Sequence, residues 1–261
     1  CQLASRVGVI VCVLAGAMHF ELPHVAIGLV VSSVLGLGLQ WIILCRTTSL
    51  RFCPTLNWHS DAFRSVIKQG SGFLVCAILA QVAMAYMRRQ ATLDGVGTNS
   101  ALTYGFAIII PLSLLLGKPL ALTVGPRYAR LAALENWAEA RQLLMRASAL
   151  TLMTAVIVST LVSFFTRPIV RLMFGGGQFG EEAVAVTASL CVILAWALPG
   201  ALLRWVIVMP SLSTRNSSLP GLIFAIGHVA HIGLTAVLFA PYGRSGLAIA
   251  YTASIILQAV V

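Results

Sequence analysis

Eight runs free of Asp, Glu, Lys and Arg recur along this chain and constrain its fold more than any other feature. They are Val7 to Phe20, Leu22 to Cys45, Gln69 to Met87, Gly95 to Gly117, Ala147 to Thr166, Ala183 to Leu203, Asn216 to Gly243 and Ser245 to Val261. A hydrocarbon core of about 30 Å needs roughly 20 helical residues to cross it, and most of these runs approach or exceed that length. Strands of a membrane barrel would be about 10 residues long with strict alternation, which the runs do not show. Helices then remain the way to satisfy backbone groups in lipid. The expected fold is all-α, a polytopic membrane helix bundle with about eight transmembrane helices. Composition agrees: 59% of residues are hydrophobic and 9% charged, too little polar surface to cover a water-soluble globule of this size.

A net charge of +10 raises the question of nucleic acid. The basic residues, however, are dispersed between apolar runs and form no basic face with interleaved aromatics, so no nucleic-acid partner is expected. They read better as an orientation signal. If the helices alternate, one side carries Arg6, Arg46, Arg51, Arg64, Lys68, Arg127, Arg130, Arg141, Arg146 and Arg215, while the other carries Arg88, Arg89, Arg167, Arg171 and Arg244. Ten against five places the first side, with the N-terminus, in the cytoplasm. The six cysteines, at 1, 12, 45, 53, 76 and 191, have no CxxC spacing and read as small apolar residues rather than a zinc site or a disulfide framework. Both chain ends read as cuts in a longer helical protein.

Punctuation along the chain sharpens this outline. A hairpin turn is expected at Glu21 to Pro23, and Trp58 is placed to lie at headgroup level. Pro111, Lys118, Pro119, Gly125 and Pro126 predict a kink or interruption near the cytoplasmic end of the fourth helix. The charged stretch RYARLAALENWAEARQLLMRAS predicts a cytoplasmic helix that continues into the fifth span. Gly175, Gly176 and Gly177 predict a tight turn; no Lys-Ser or Lys-Thr follows them, as a phosphate-binding loop would require. Pro199 and Gly200 fall in the middle of the sixth span, and PYGRSG makes the last outer turn.

No catalytic constellation is visible. The seven acids, Glu21, Asp61, Asp94, Glu135, Glu139, Glu181 and Glu182, all fall in loops or at helix ends, which argues against a carboxylate proton relay and supplies no cofactor or metal set. Arg204 is the most informative single residue, since a charge within an apolar run costs about 2.5 to 3.5 kcal/mol on insertion scales unless it finds a cavity or a partner. Contact with an anionic substrate and snorkelling to the interface are both open for it. His228 and His231, three apart, share a helix face, with cavity lining or helix packing favoured over metal binding. Arg88 and Arg89 are candidates for headgroup anchoring or substrate contact, Lys118 for the interface, and Gln81 for a helix-to-helix hydrogen bond.

Several spaced segments resemble the lipid II flippase family known as MurJ or MviN, within the exporter superfamily that also includes multidrug and polysaccharide exporters. ALTYGFAIIIPLSLLLGKPLALTVGPRYAR at 101 to 130 is similar to a family helix that begins Ala-Leu-x-Tyr. RPIVRLMFGGGQFG at 167 to 180 is similar to the family's Pro-Leu-Ile-Arg-Leu-Leu-Phe-Gly-x-Gly-x-Phe turn. LPG at 198 to 200 and PYGRSGLAIAYTAS from 241 also fit. The resemblance implies a fourteen-helix, two-lobed transporter without covalent chemistry. Residues 1–63 would hold the last two helices of the N-terminal lobe and a linker, and residues 64–261 the six helices of the C-terminal lobe. It implies flipping of lipid II, a polyprenyl-pyrophosphate-linked saccharide, across the bacterial cytoplasmic membrane by alternating access, with the coupling ion unspecified. Phe106 and Ala107 stand where the family usually has an Asp-Arg pair, and Trp205, next to Arg204, matches its usual basic position. An exporter of another polyprenyl-linked saccharide or of drugs remains open, as does, from a different class, a membrane glycosyl- or phosphotransferase.

Overall fold

The computed structural model describes residues 22–47, 60–176, 179–213 and 218–260. The expected first helix, the turn at Glu21, Trp58 and Arg215 lie outside those residues. The chain divides into two compact units, Cys1–Trp58 and His59–Val261. In the first unit a single described helix, α1 (Leu22–Thr47), runs for 26 residues, about 39 Å at 1.5 Å per residue.

The second unit is built from α2 (Asp61–Asp94), α3 (Thr98–Ala133), α4 (Trp137–Phe174), α5 (Glu181–Ala195), α6 (Leu198–Ser213) and α7 (Ser218–Val260). Five continuous stretches among the described residues are long and apolar enough to cross a membrane, and the last of them folds back on itself. Gly243 has φ 51 and ψ −132, a conformation open mainly to glycine. Across this turn Gly227 lies against the Gln258 side chain, and the His231 ring lies 5.6 Å from that of Tyr251. Such pairings require two antiparallel arms, 218–242 and 244–260. The described residues of the unit therefore run back and forth in six helical segments, and PYGRSG is the turn its sequence predicts.

Alternation follows from which ends meet. Gly243 lies beside the Asp94 carboxylate at the end of α2, and a cavity there is lined by Gly97, Tyr104, Phe179 and Arg244. The connections around 95–97, 179–180 and 243 thus share one end. At the other end Gly72 meets Gly221, and Gly125 meets the Met209 sulfur.

Three local expectations change. First, α3 runs unbroken through Pro111, Pro119 and Pro126. All three prolines are exposed, so each ring occupies the outer surface rather than the packed interior. Separately, Thr123 donates its hydroxyl to the carbonyls of Pro119 and Leu120 on its own helix, both at 3.0 Å. Second, the charged stretch is two helices rather than one. Glu135 takes φ 56, and Asn136 caps α4: its Oδ1 accepts from the Glu139 N–H at 3.3 Å and its amide donates to the Glu139 carboxylate at 3.0 Å. This reciprocal N-cap to N3 pairing outweighs the helix propensity of the stretch. Third, the sixth span is broken at Trp196 and Ala197 into α5 and α6. Gly177, part of the expected tight turn, lies outside the described residues; on either side of it Phe179 N–H donates to Gly176 C=O at 3.1 Å.

The break in the sixth span is held by side chains from two neighbours. Pro199 has no N–H to give the Ala195 carbonyl four residues earlier, and Ser159 Oγ on α4 donates to it instead, at 2.8 Å. Thr252 Oγ1 on the second arm donates to the Ile193 carbonyl at 3.1 Å. Re-satisfying freed backbone groups is what allows a helix to break at membrane depth. Ser159 is fully buried, so Ser159→Ala is expected to lower stability by about 1 kcal/mol. Thermal unfolding in detergent checks this, with Ser163→Ala on the same helix as the comparison.

Candidate functional site

The broken span positions the site. Leu198 and Leu202 on α6 are fully buried, while Gly200 lies against the backbone of Ile255 and Ile256 on the second arm. Arg204, one turn beyond Gly200, consequently faces inward. It lines a cavity of about 430 Å³ with Phe73 of α2, Ile110 and Ser113 of α3, Trp205 of α6, Phe224 of the first arm and Tyr251 of the second. Its guanidinium lies over the Phe224 ring, 4.4 Å from the centroid. A cation on a ring face is worth about 2 kcal/mol when desolvated, yet the ring cannot neutralise its charge. Among the described residues the ion pairs join Arg167 and Arg171 to Glu181 at the opposite end, so Arg204 has no carboxylate partner there.

A second cavity, of about 210 Å³, shares Ile110, Arg204, Tyr251 and Ile255 with the first and adds Met84, His228, His231 and Ser254. The structure thus brings both histidines to Arg204. His231 is 2% exposed and its Nε2 has no protein hydrogen-bond partner. Phe106, standing where the resembled family has an acid, packs its ring edge-on against Tyr251 at 4.8 Å, and Tyr251 in turn packs against His231. An aromatic support thereby stands at that position. Trp205 lines the larger cavity as Arg204 does, and its ring lies across Gly117 of α3.

Arg88, Arg89 and Gln81 are not brought to these cavities; all three are exposed on α2. Sequence reasoning does not single out Phe224, Trp205 and Tyr251 as wall residues. Each is an aromatic in a run of apolar residues, and nothing in the pattern marks which of them will converge. The chemistry of the site is a fixed cation, two imidazoles and the hydroxyl-bearing side chains of Ser113, Tyr251 and Ser254. That set can hold an anion by charge and hydrogen bonds.

A family model described as "Lipid II flippase MurJ" matches residues 1–261. A curated protein from Rhizobium meliloti (strain 1021), named "Probable lipid II flippase MurJ", is 30% identical over 156 residues, which cover 59% of this chain and 29% of that protein. The match therefore spans less than a third of the relative's length.

Proposed function

Because the chain belongs to the lipid II flippase MurJ family, we propose that the full-length protein moves a lipid-linked saccharide with a pyrophosphate headgroup, lipid II, across the bacterial cytoplasmic membrane. The observation that carries this reading is Arg204: a cation on a cavity wall, beside a broken membrane helix, with no carboxylate partner among the described residues. Broken helices beside a polar cavity near the membrane midplane are where transporters place their substrates. Arg204 would attract the pyrophosphate, His228 and His231 would contact it from the smaller cavity, and the lipid tail would stay in the bilayer. No bond of the substrate is broken.

In this reading residues 64–261 form the C-terminal lobe and residues 1–63 the end of the N-terminal lobe with a linker. The basic residues near 127–146 mark the cytoplasmic end, and the connections around 95–97, 179–180 and 243 lie outside. Arg88 and Arg89 would draw anionic headgroups toward the outer opening, with Gln81 available to a neighbouring helix. The decisive experiment is rescue of a bacterial strain depleted of its own lipid II flippase by the full-length protein. Growth with normal cell shape is the expected result. Lysis despite correct membrane insertion would redirect the reading to an exporter of another polyprenyl-linked saccharide.

A further inference from the structure

We propose that His231 is a proton-binding site, loaded together with the anion that Arg204 attracts. The proposal rests on the reading of the Arg204 cavity as an anion site and adds a second ligand, a proton, at a named atom.

The starting observation is geometric. His231 is buried at 2% exposure, its Nε2 has no protein partner, and it lines the same 210 Å³ cavity as Arg204. Its ring is held against Tyr251, 74° between planes. An imidazole on the cavity wall with a buried, unpartnered nitrogen has hydrogen-bonding capacity that the protein leaves unused. The groups around it are those of four packed elements. The α2 helix contributes Met84 to the cavity and the Cys76 thiol near Arg204; α3 contributes Ile110; α6 contributes Arg204; and the hairpin contributes His228, Tyr251 and Ser254. No aspartate or glutamate is among the described lining residues.

This inventory determines what a proton at His231 needs. Arg204 lines the same cavity as both histidines, so the empty cavity already holds one fixed positive charge, and like charges placed close together repel. A pyrophosphate diester brings more negative charge than one guanidinium neutralises. Its arrival reverses the sign of the local field and favours the imidazolium, whose Nε2–H then donates to a phosphoryl oxygen. By linkage the converse holds equally: a proton on His231 tightens anion binding. The bound state holds more protons than the free state, so affinity rises as pH falls through the imidazole range and is lost as pH rises above it. A carrier built in this way picks up a proton with its headgroup and releases both together.

Calorimetric titration of the full-length protein in lipid nanodiscs tests this, using a short-chain dialkyl pyrophosphate whose phosphoryl groups stay ionised throughout. Repeating the titration in buffers of different ionisation enthalpy counts the protons taken up. The wild type is expected to take up a substantial fraction of one proton per anion near pH 7, and its affinity to fall severalfold, at most about tenfold, per pH unit above that range. His231→Gln is expected to bind more weakly near pH 6 and to take up no proton. A merely structural histidine would alter affinity without altering the proton count. Binding without proton uptake in the wild type would overturn the proposal while leaving the anion site standing, and this comparison needs no variant. Full uptake retained in His231→Gln would overturn the assignment to His231. Absence of pyrophosphate binding at every pH would instead remove the anion reading beneath it.

Discussion

Gly221→Val is expected to prevent stable assembly of the second unit, with a loss of about 3 kcal/mol or more. A Cβ at position 221 would fall inside the van der Waals envelope of the Gly72 carbonyl carbon and the Phe73 nitrogen. Both obstacles are backbone atoms, so no rotamer change relieves the contact, and α2 and the first arm of the hairpin would have to move apart. Close backbone approach through small residues is a principal source of helix association in lipid, where burying apolar surface yields little. The α2 to α7 interface also carries Phe73 and Phe224 to the wall of the Arg204 cavity, so separation would open the site as well. Gly233→Ala supplies the contrast on the same arm. Nothing lies within 4 Å of its added Cβ, and removing a helical glycine is expected to be neutral or to stabilise by up to about 1 kcal/mol. Thermal midpoints of the purified variants in detergent measure both. Equal melting of Gly221→Val and wild type would show that the two backbones do not touch.

The contrast between these glycines also explains what the sequence made legible. Crossings were readable because a helix in lipid satisfies its own backbone, so an uncharged run of sufficient length nearly dictates the element. The hairpin at Gly243 was readable for the same reason, with Pro241 and Gly243 closing one apolar run and Arg244 separating it from the next. Helix-to-helix contacts were not. Gly221 and Gly233 look alike in the sequence, and only the crossing with α2 distinguishes them. The prolines of α3 misled because sequence does not say which face meets lipid, and all three are exposed. Asn136 and Glu139, by contrast, form a readable cap obscured by the helix propensity around them. At the site, the helical spacing of His228 and His231 put them on one face, but their meeting with Arg204 needed the break at Trp196 and the return of the second arm. Those are tertiary events, fixed by Ser159, Thr252 and Gly200 from separate parts of the chain.

Arg204→Ala is expected to weaken binding of the dialkyl pyrophosphate about thirtyfold or more, and to reduce transport by the full-length protein by at least as much. The figure follows from removing one partner of a desolvated charge contact, which costs about 2 kcal/mol at the low end. Folding should survive, because the side chain is only partly buried and lies on a cavity wall rather than in packed core. Deleting an unpaired cation is expected to leave the thermal midpoint unchanged or raise it, since the desolvation cost is removed and no buried carboxylate is orphaned. Arg204→Lys separates charge from shape. It keeps the cation but loses the planar group stacked on Phe224 and the fork that grips two phosphoryl oxygens at once, so affinity between the wild type and Arg204→Ala is expected. Calorimetry and rescue of the depleted strain measure the two consequences independently. A folded Arg204→Ala with wild-type affinity and full rescue would mean that the cation only snorkels along the cavity wall, and that the headgroup is held elsewhere. A loss confined to transport, with affinity intact, would instead assign Arg204 to the movement of α6 about the break at Trp196 rather than to the substrate.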